Sequence, residues 1–370
     1  METAHKIFIG NSNDLSEIGH NEVELVVTSP PYPMIEMWDE LFTSLNPDIE
    51  TVLDAGDGRE AFELMHNELN KTWEEINRVL VDGGIACINI GDATRKVDDS
   101  FRVYQNHAQI TEYFDNIGFE PLPDILWRKP TNSAAKFMGS GMMPPNAYAT
   151  LEHEYLLIFR NGKDSRKFPG GNDVRYESAY FWEERNKWFS DVWEGIKGTF
   201  QELDNADNNL RDRSAAYPLE VPYRLINMYS VYGDTVLDPF WGTGTTSLAA
   251  MVSGRNSVGY EIQEKFTDVF DAEASGVKEL AHSTAAKRIS RHEEFVEQRL
   301  EDGKDFKYNA ENYDFPVITK QERPLQLYTI SSVEPAENGY TVTHSPYNKS
   351  DSINAELKAQ EQATLGSQFQ

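Results

Sequence analysis

"DTVLDPFWGTGTTSLAAMVSGRNSVGYEI", residues 234–262, decides the fold. It opens on a short apolar strand that stops at Asp238-Pro239-Phe240. Two glycines one residue apart, Gly242 and Gly244, follow, and a threonine pair then starts an apolar helical run. A second strand, "NSVGYEI", comes directly after. Strand, tight turn, helix and strand make the unit of a parallel sheet covered on both faces. Glycine lets a backbone approach a ligand closely, and the free N–H groups of a helix start face the same space. Glu261 ends the second strand, 17 residues after Gly244. A carboxylate there can accept hydrogen bonds from both hydroxyls of a ribose. The turn is not G-x-G-x-x-G and no Walker lysine follows, which disfavours NAD and ATP. S-adenosyl-L-methionine, which has no pyrophosphate to cradle, fits the pattern.

The alternation extends upstream. "HKIFIGNSNDL" reads as a strand with a polar exit, and "VELVVTSPPY" as a second strand. A helical stretch over about residues 61–80 ends at "DGG", Asp82 to Gly84, which turns into "IACINIGD". That run is apolar throughout, as buried parallel strands are. Another helix (about 106–117) and two more strands, "DILWRKP" and "HEYLLIFRNG", follow. After about Gln263 a long charged helix is expected to reach Gly303, then a β-like piece with a turn at Glu337-Asn338-Gly339. Residues 351–370 are polar and read as disordered.

Composition sets bounds on this reading. The chain has 370 residues and one cysteine, Cys87, in an apolar run. That excludes an internal disulfide and makes no metal site expected. No apolar run reaches about 18 residues, and no basic-then-apolar segment opens the chain, so neither a membrane span nor a signal peptide is expected. A cytoplasmic location follows as an expectation. The net charge of −27 argues at face value against a nucleic-acid partner. Between Pro121 and Ala215, however, 13 Lys+Arg stand against 14 Asp+Glu, so nearly all the excess lies elsewhere.

The strand "VELVVT" stops on Ser29-Pro30-Pro31-Tyr32. Proline fixes its own φ and cannot donate to a ladder, so this corner is stiff. With "TSPPY" and "DPFWGTGTT" in one chain, the sequence resembles the amino-methyltransferases that methylate exocyclic amines of nucleobases. The catalytic segment precedes the cofactor turn by more than 200 residues, the permuted order of the beta class. "AYPLEVPYRLI" is similar to that class's additional cofactor motif. The resemblance covers about residues 5–265. It implies a Rossmann-like class I methyltransferase fold with a mostly parallel seven-stranded sheet, a terminal antiparallel hairpin and a circularly permuted motif order. Residues 1–265 would then be the catalytic domain, with a target-recognition insertion at 161–215 and a helix and small β extension at 266–350.

The Ser-Pro-Pro-Tyr form resembles the cytosine-N4 subset, whereas Asp-Pro-Pro-Tyr members mostly methylate adenine N6. The resemblance therefore implies methyl transfer from S-adenosyl-L-methionine to cytosine N4 in DNA, of the restriction-modification kind, by a monomer or homodimer. Structured RNA such as ribosomal RNA, adenine N6, and a silent nucleic-acid-binding module are the alternatives. Ser29 and Pro30 would accept the N–H groups of the target amine, Pro31 would stiffen the corner, and Tyr32 would stack on a flipped base. Asn11, Asp238, Phe240, Gly242, Gly244, Thr245 and Glu261 would contact cofactor, with Pro218 and Tyr223 as weaker candidates. In the insertion, Arg166, Lys167, Arg175, Arg185, Lys187, Arg211 and Arg213 interleave with aromatics such as Trp182 and Trp188. Cations among aromatics suit phosphate contact and base stacking.

Overall fold

The computed structural model describes residues 1–129, 138–139, 142–168, 170, 172–196 and 217–348. Ten strands in this set form one sheet: β1 (Glu2–Ile9), β2 (Val23–Thr28), β3 (Leu80–Ile90), β4 (Phe119–Arg128), β5 (His153–Asn161), β6 (Val192–Trp193), β7 (Thr235–Asp238), β8 (Asn256–Glu261), β9 (Tyr328–Ala336) and β10 (Gly339–Pro346). Their order across the sheet is β6-β4-β5-β3-β2-β7-β8-β1-β10-β9. The stretch from β4 to β1 contains the seven expected strands. They are parallel except β5, which runs antiparallel to β3 and β4. The C-terminal hairpin pairs antiparallel along β1 and lengthens this same sheet.

The helices that position the site are α1 (Asp39–Leu45), α2 (Gly58–Val79), α3 (Asn106–Asn116), α4 (Trp182–Trp188), α5 (Glu220–Tyr229), α6 (Thr245–Ser253), α7 (Lys265–Ala274) and α8 (Val277–Glu301). Successive strand residues point to opposite faces, so β2 supplies Val26 to one core and Leu25 and Val27 to the other. The first core takes Met65, Leu69, Trp73 and Ile76 from α2 and Phe114 from α3. The second takes Val221, Leu225 and Ile226 from α5 and Ala249 and Ala250 from α6. Covering both faces is why "IACINI" needs no polar alternation. Each fully buried Leu or Phe in these layers contributes about 2 kcal/mol.

Two local expectations shift. α2 ends at Val79 and β3 already begins at Leu80, so Asp82-Gly83-Gly84 lie within the strand. They sit where its register against β2 slips, and Gly83 takes φ +75° there. The charged helix expected over 263–303 is two helices, broken at Ser275-Gly276.

β2 and β7 are neighbours, with Leu25 opposite Val236, although about 210 residues separate them in the chain. From β2 the chain proceeds to β3 on one side, and from β7 to β8 on the other. Where the winding reverses, an open α/β sheet leaves a crevice beyond the carboxyl ends of its strands.

Candidate active site

A cavity of about 300 Å³ opens at that reversal. One end is bounded by Gly10, Asn11, Glu261 and Phe266, the middle by Asp238 and Phe240 to Thr243, and the other end by Ser29 to Tyr32, Lys129 and Glu154. The stiff corner and the glycine turn thus share one space. A third wall is apolar: Ile35, Met37, Trp38, Leu41 and Leu45, from α1 and the turn before it.

The glycine turn is built by close packing. Gly244 has φ +82°, and a Cβ on it would lie 2.3 Å from the Phe270 ring and 2.8 Å from Trp241. Gly259 in β8 is equally tight, with a Cβ falling 2.1 Å from Trp241 Cδ1. Gly244 therefore shapes the turn from behind and does not border the cavity. Gly242 does border it, and a Cβ there meets only the Phe240 carbonyl, at 3.9 Å. That open backbone lets a ligand approach. Glu261 accepts from Gly242 N–H (2.9 Å) and Gln263 N–H (2.8 Å), one bond on each oxygen. A second lone pair on each oxygen is left for hydroxyl donors. Burial raises the Glu261 carboxyl above its ordinary value.

Asp238 is buried at the end of β7. Thr28 Oγ1 and Thr246 Oγ1 each donate to it at 2.6 Å, and Phe240 N–H donates at 3.1 Å. Tyr217 OH adds a long bond of 3.5 Å. Burial pushes its pKa up to about 6, and the hydroxyl donors hold it lower than burial alone would.

At the corner, Tyr32 OH donates to Glu154 Oε2 (3.0 Å), and Ser29 Oγ donates to Tyr32 OH (3.3 Å). Asn89 Nδ2 donates to Glu154 Oε2 (2.8 Å) and to Tyr32 OH (2.9 Å). Lys129 closes the group as an ion pair with Glu154 Oε1. Gly91 makes this possible, because a Cβ there would press on Tyr32 Cε2 at 3.1 Å and Glu154 Cγ at 3.3 Å. Burial, then the Glu154 charge, raises the Tyr32 phenol well above its ordinary value. The chain after the corner is pinned by Asn106, whose Nδ2 donates to the Pro33 and Gly91 carbonyls at 3.2 and 2.9 Å.

Of the residues expected from sequence, Ser29, Pro30, Pro31, Tyr32, Asn11, Asp238, Phe240, Gly242, Thr245 and Glu261 all line the cavity. Pro218 is buried beside it, and Tyr223 packs against Trp188 at 6.4 Å; neither lines it, whereas Tyr217 of the same segment does. Asn89, Lys129 and Glu154 were not expected. Their one sequence signal is a polar residue near the end of an otherwise apolar strand. In the insertion, Lys167, Arg175, Arg185 and Lys187 are exposed, away from the cavity. Arg166 is instead held by both oxygens of Asp234, at 2.6 and 2.9 Å. Arg211 and Arg213 lie outside the described residues.

Comparison with known proteins agrees with this geometry. A family model described as DNA methylase (N6_N4_Mtase) matches residues 23–272. The type II methyltransferase M.MthZI of Methanothermobacter thermautotrophicus is 51% identical over 330 residues, 89% of this chain and 91% of the relative. The type II methyltransferase M.MjaI of Methanocaldococcus jannaschii is 50% identical over 292 residues, 75% of this chain and 93% of its own. The solved structure of TTHA0409 from Thermus thermophilus, complexed with S-adenosyl-L-methionine, is 28% identical with a TM-score of 0.58. It covers 74% of this chain and 94% of its own. A glycine turn and a stiff proline corner face one cavity, and these matches show that the chain belongs to the N6/N4 DNA methylase family.

Proposed function

We propose that this chain transfers the methyl group of S-adenosyl-L-methionine to the exocyclic N4 amine of cytosine in DNA, as the modifying partner of a restriction system. The observation that carries the reading is Ser29 at the cavity end opposite Glu261, a hydroxyl in the position where adenine-directed relatives mostly place a carboxylate. Relatives named as type II methyltransferases support DNA as the substrate.

The residues fit the cofactor. Glu261 would take the ribose hydroxyls, Asn11 would lie beside the adenine, and Asp238 would face the amino group, with Gly242 leaving backbone room. When bound, the cofactor supplies an electrophilic methyl on a sulfonium. The chain's own part is orientation. An exocyclic amine is a poor nucleophile because its lone pair is delocalised into the ring. Ser29 Oγ and the Pro30 carbonyl accept its N–H groups and favour a tetrahedral nitrogen, an interaction that strengthens as charge develops. Tyr32, its hydroxyl tied to Glu154, offers a fixed ring for the swung-out base. The exposed Lys167, Arg175, Arg185 and Lys187 would contact phosphates.

Incubation of purified protein with unmodified genomic DNA and labelled cofactor, followed by nucleoside chromatography, tests this. Label in N4-methyldeoxycytidine is expected. Label in N6-methyldeoxyadenosine would replace cytosine by adenine in the reading, and label in RNA offered in a parallel incubation, with none in DNA, would overturn DNA as substrate.

A further inference from the structure

We propose that Glu154 is the final acceptor of the proton that the target amine loses, reached through Ser29 and Tyr32. The proposal rests on the methyl-transfer reading above. When the amine nitrogen forms its new C–N bond it becomes positively charged, and it is neutral again only after one N–H proton leaves. Such a nitrogen is a strong acid, because losing the proton returns its lone pair to the ring. What it needs is a continuous path to an acceptor more than an acceptor of unusual basicity.

The corner contains that path. Ser29 Oγ donates to Tyr32 OH at 3.3 Å and Tyr32 OH donates to Glu154 Oε2 at 3.0 Å. An ionised carboxylate only accepts, so both bonds run the same way, from the target toward Glu154. The amine proton passes to Ser29 Oγ, the serine proton to the tyrosine oxygen, and the tyrosine proton to Glu154 Oε2. One N–H bond breaks and one carboxyl O–H bond forms. Both hydroxyls end as they began, and the positive nitrogen and the negative carboxylate are both neutral. Glu154 borders the cavity and can then release the proton to solvent. The phenol, held protonated by burial and by Glu154, acts as a relay and not as a base. Asn89 and Lys129 are positioning residues: Asn89 Nδ2 bridges Tyr32 OH and Glu154 Oε2, and Lys129 holds the other carboxylate oxygen.

The test is single-turnover methylation of DNA at saturating cofactor, with calorimetric cofactor binding alongside. Glu154→Gln is expected to lower the rate by about 100-fold or more. Cofactor affinity should stay within about twofold. Tyr32→Phe keeps the ring and breaks the path, so it is expected to match Glu154→Gln. The double variant should fall no further. A wild-type rate in either single variant overturns the inference. So does a loss of cofactor affinity in Glu154→Gln as large as its loss of rate, because that marks a structural role. Tyr32→Phe decides the matter if Glu154→Gln does not fold. Absence of any methylated DNA from the wild-type protein would instead overturn the methyl-transfer reading, and this inference with it.

Discussion

In the proposed reaction, Asp238 and Tyr32 divide the site between cofactor and base. Asp238 titrates near pH 6 because burial opposes its charge. Its charged form is the one suited to a cofactor amino group, so cofactor affinity is expected to be constant above about pH 7 and to weaken as pH falls through 6. Stability of the ligand-free protein slopes the other way for this residue. A raised carboxyl favours the fold below its unfolded pKa, and that contribution is lost as pH rises through about 6. Asp238→Asn keeps the shape and removes the charge. It is expected to weaken binding by about tenfold or more at pH 7.5 and to abolish the acid dependence. A wild-type dissociation constant that calorimetry finds unchanged from pH 7.5 to 5 would contradict this. Tyr32→Ala removes the ring from the other end of the cavity. Turnover is expected to fall by at least about 100-fold with cofactor affinity nearly intact. Equal losses of rate and affinity would reassign Tyr32 to the cofactor side.

Elements distant in sequence carry the insertion. Helix α8, beyond β7 and β8 in the chain, meets α4 through a buried double contact, Arg288 Nε and Nη2 on the two oxygens of Glu184 at 2.6 and 2.7 Å. His292 Nδ1 lies 2.8 Å from Glu183, and its ring stacks on Phe181 at 4.1 Å. The C-terminal segment is therefore the brace of the described part of the insertion. Arg288→Ala leaves Glu184 without its partner and is expected to cost about 3–5 kcal/mol in chemical denaturation. Arg288→Met with Glu184→Leu should recover most of that. A loss below about 1 kcal/mol in the single variant would show that the contact is not what holds α4. What was legible in the sequence follows from how local the chemistry is. Ser29-Pro30-Pro31-Tyr32 and the turn from Asp238 to Thr245 declare themselves because proline, glycine and a strand end constrain the backbone where they stand. Glu154, Asn89 and Lys129 do not. They meet Tyr32 only once β5 pairs with β3 and β4, with Asn89 opposite Leu156 and Trp127 opposite Glu154. No spacing along the chain encodes that register. The helix break at Gly276 was equally hidden, since the charge pattern runs through it.

At the scale of the whole molecule, the sheet is continuous from the strands around the cavity to the C-terminal hairpin, and a buried polar chain fastens its far side. Thr3 Oγ1 on β1 lies 2.9 Å from His5 Nε2 and 2.8 Å from His344 Nε2 on β10, while His5 Nδ1 lies 2.9 Å from Ser257 Oγ on β8. Burial lowers His5 to about 3, with His344 adding to the shift. Burial likewise lowers His344 to about 4, helped by the chain's amino terminus and Arg255. Both rings are neutral in the fold, whereas in the unfolded chain they take up protons below about pH 6.5. The unfolded state thus binds more protons between the two pKa values, and stability drains as pH falls through that window. Each histidine is expected to contribute a slope of about 1.4 kcal/mol per pH unit there. Buried carboxyls such as Asp238 slope oppositely, so the wild-type profile alone mixes the two effects. His344→Gln separates them, because glutamine retains a donor toward Thr3 and does not titrate. The stability difference between wild type and His344→Gln is expected to be constant from pH 8 to 7. Between about pH 6 and 4 it should then move in favour of the variant by about one proton's slope. Urea denaturation across that range measures it, and a difference independent of pH would mean that His344 is solvated in the fold and that the hairpin is not locked to β1 through it.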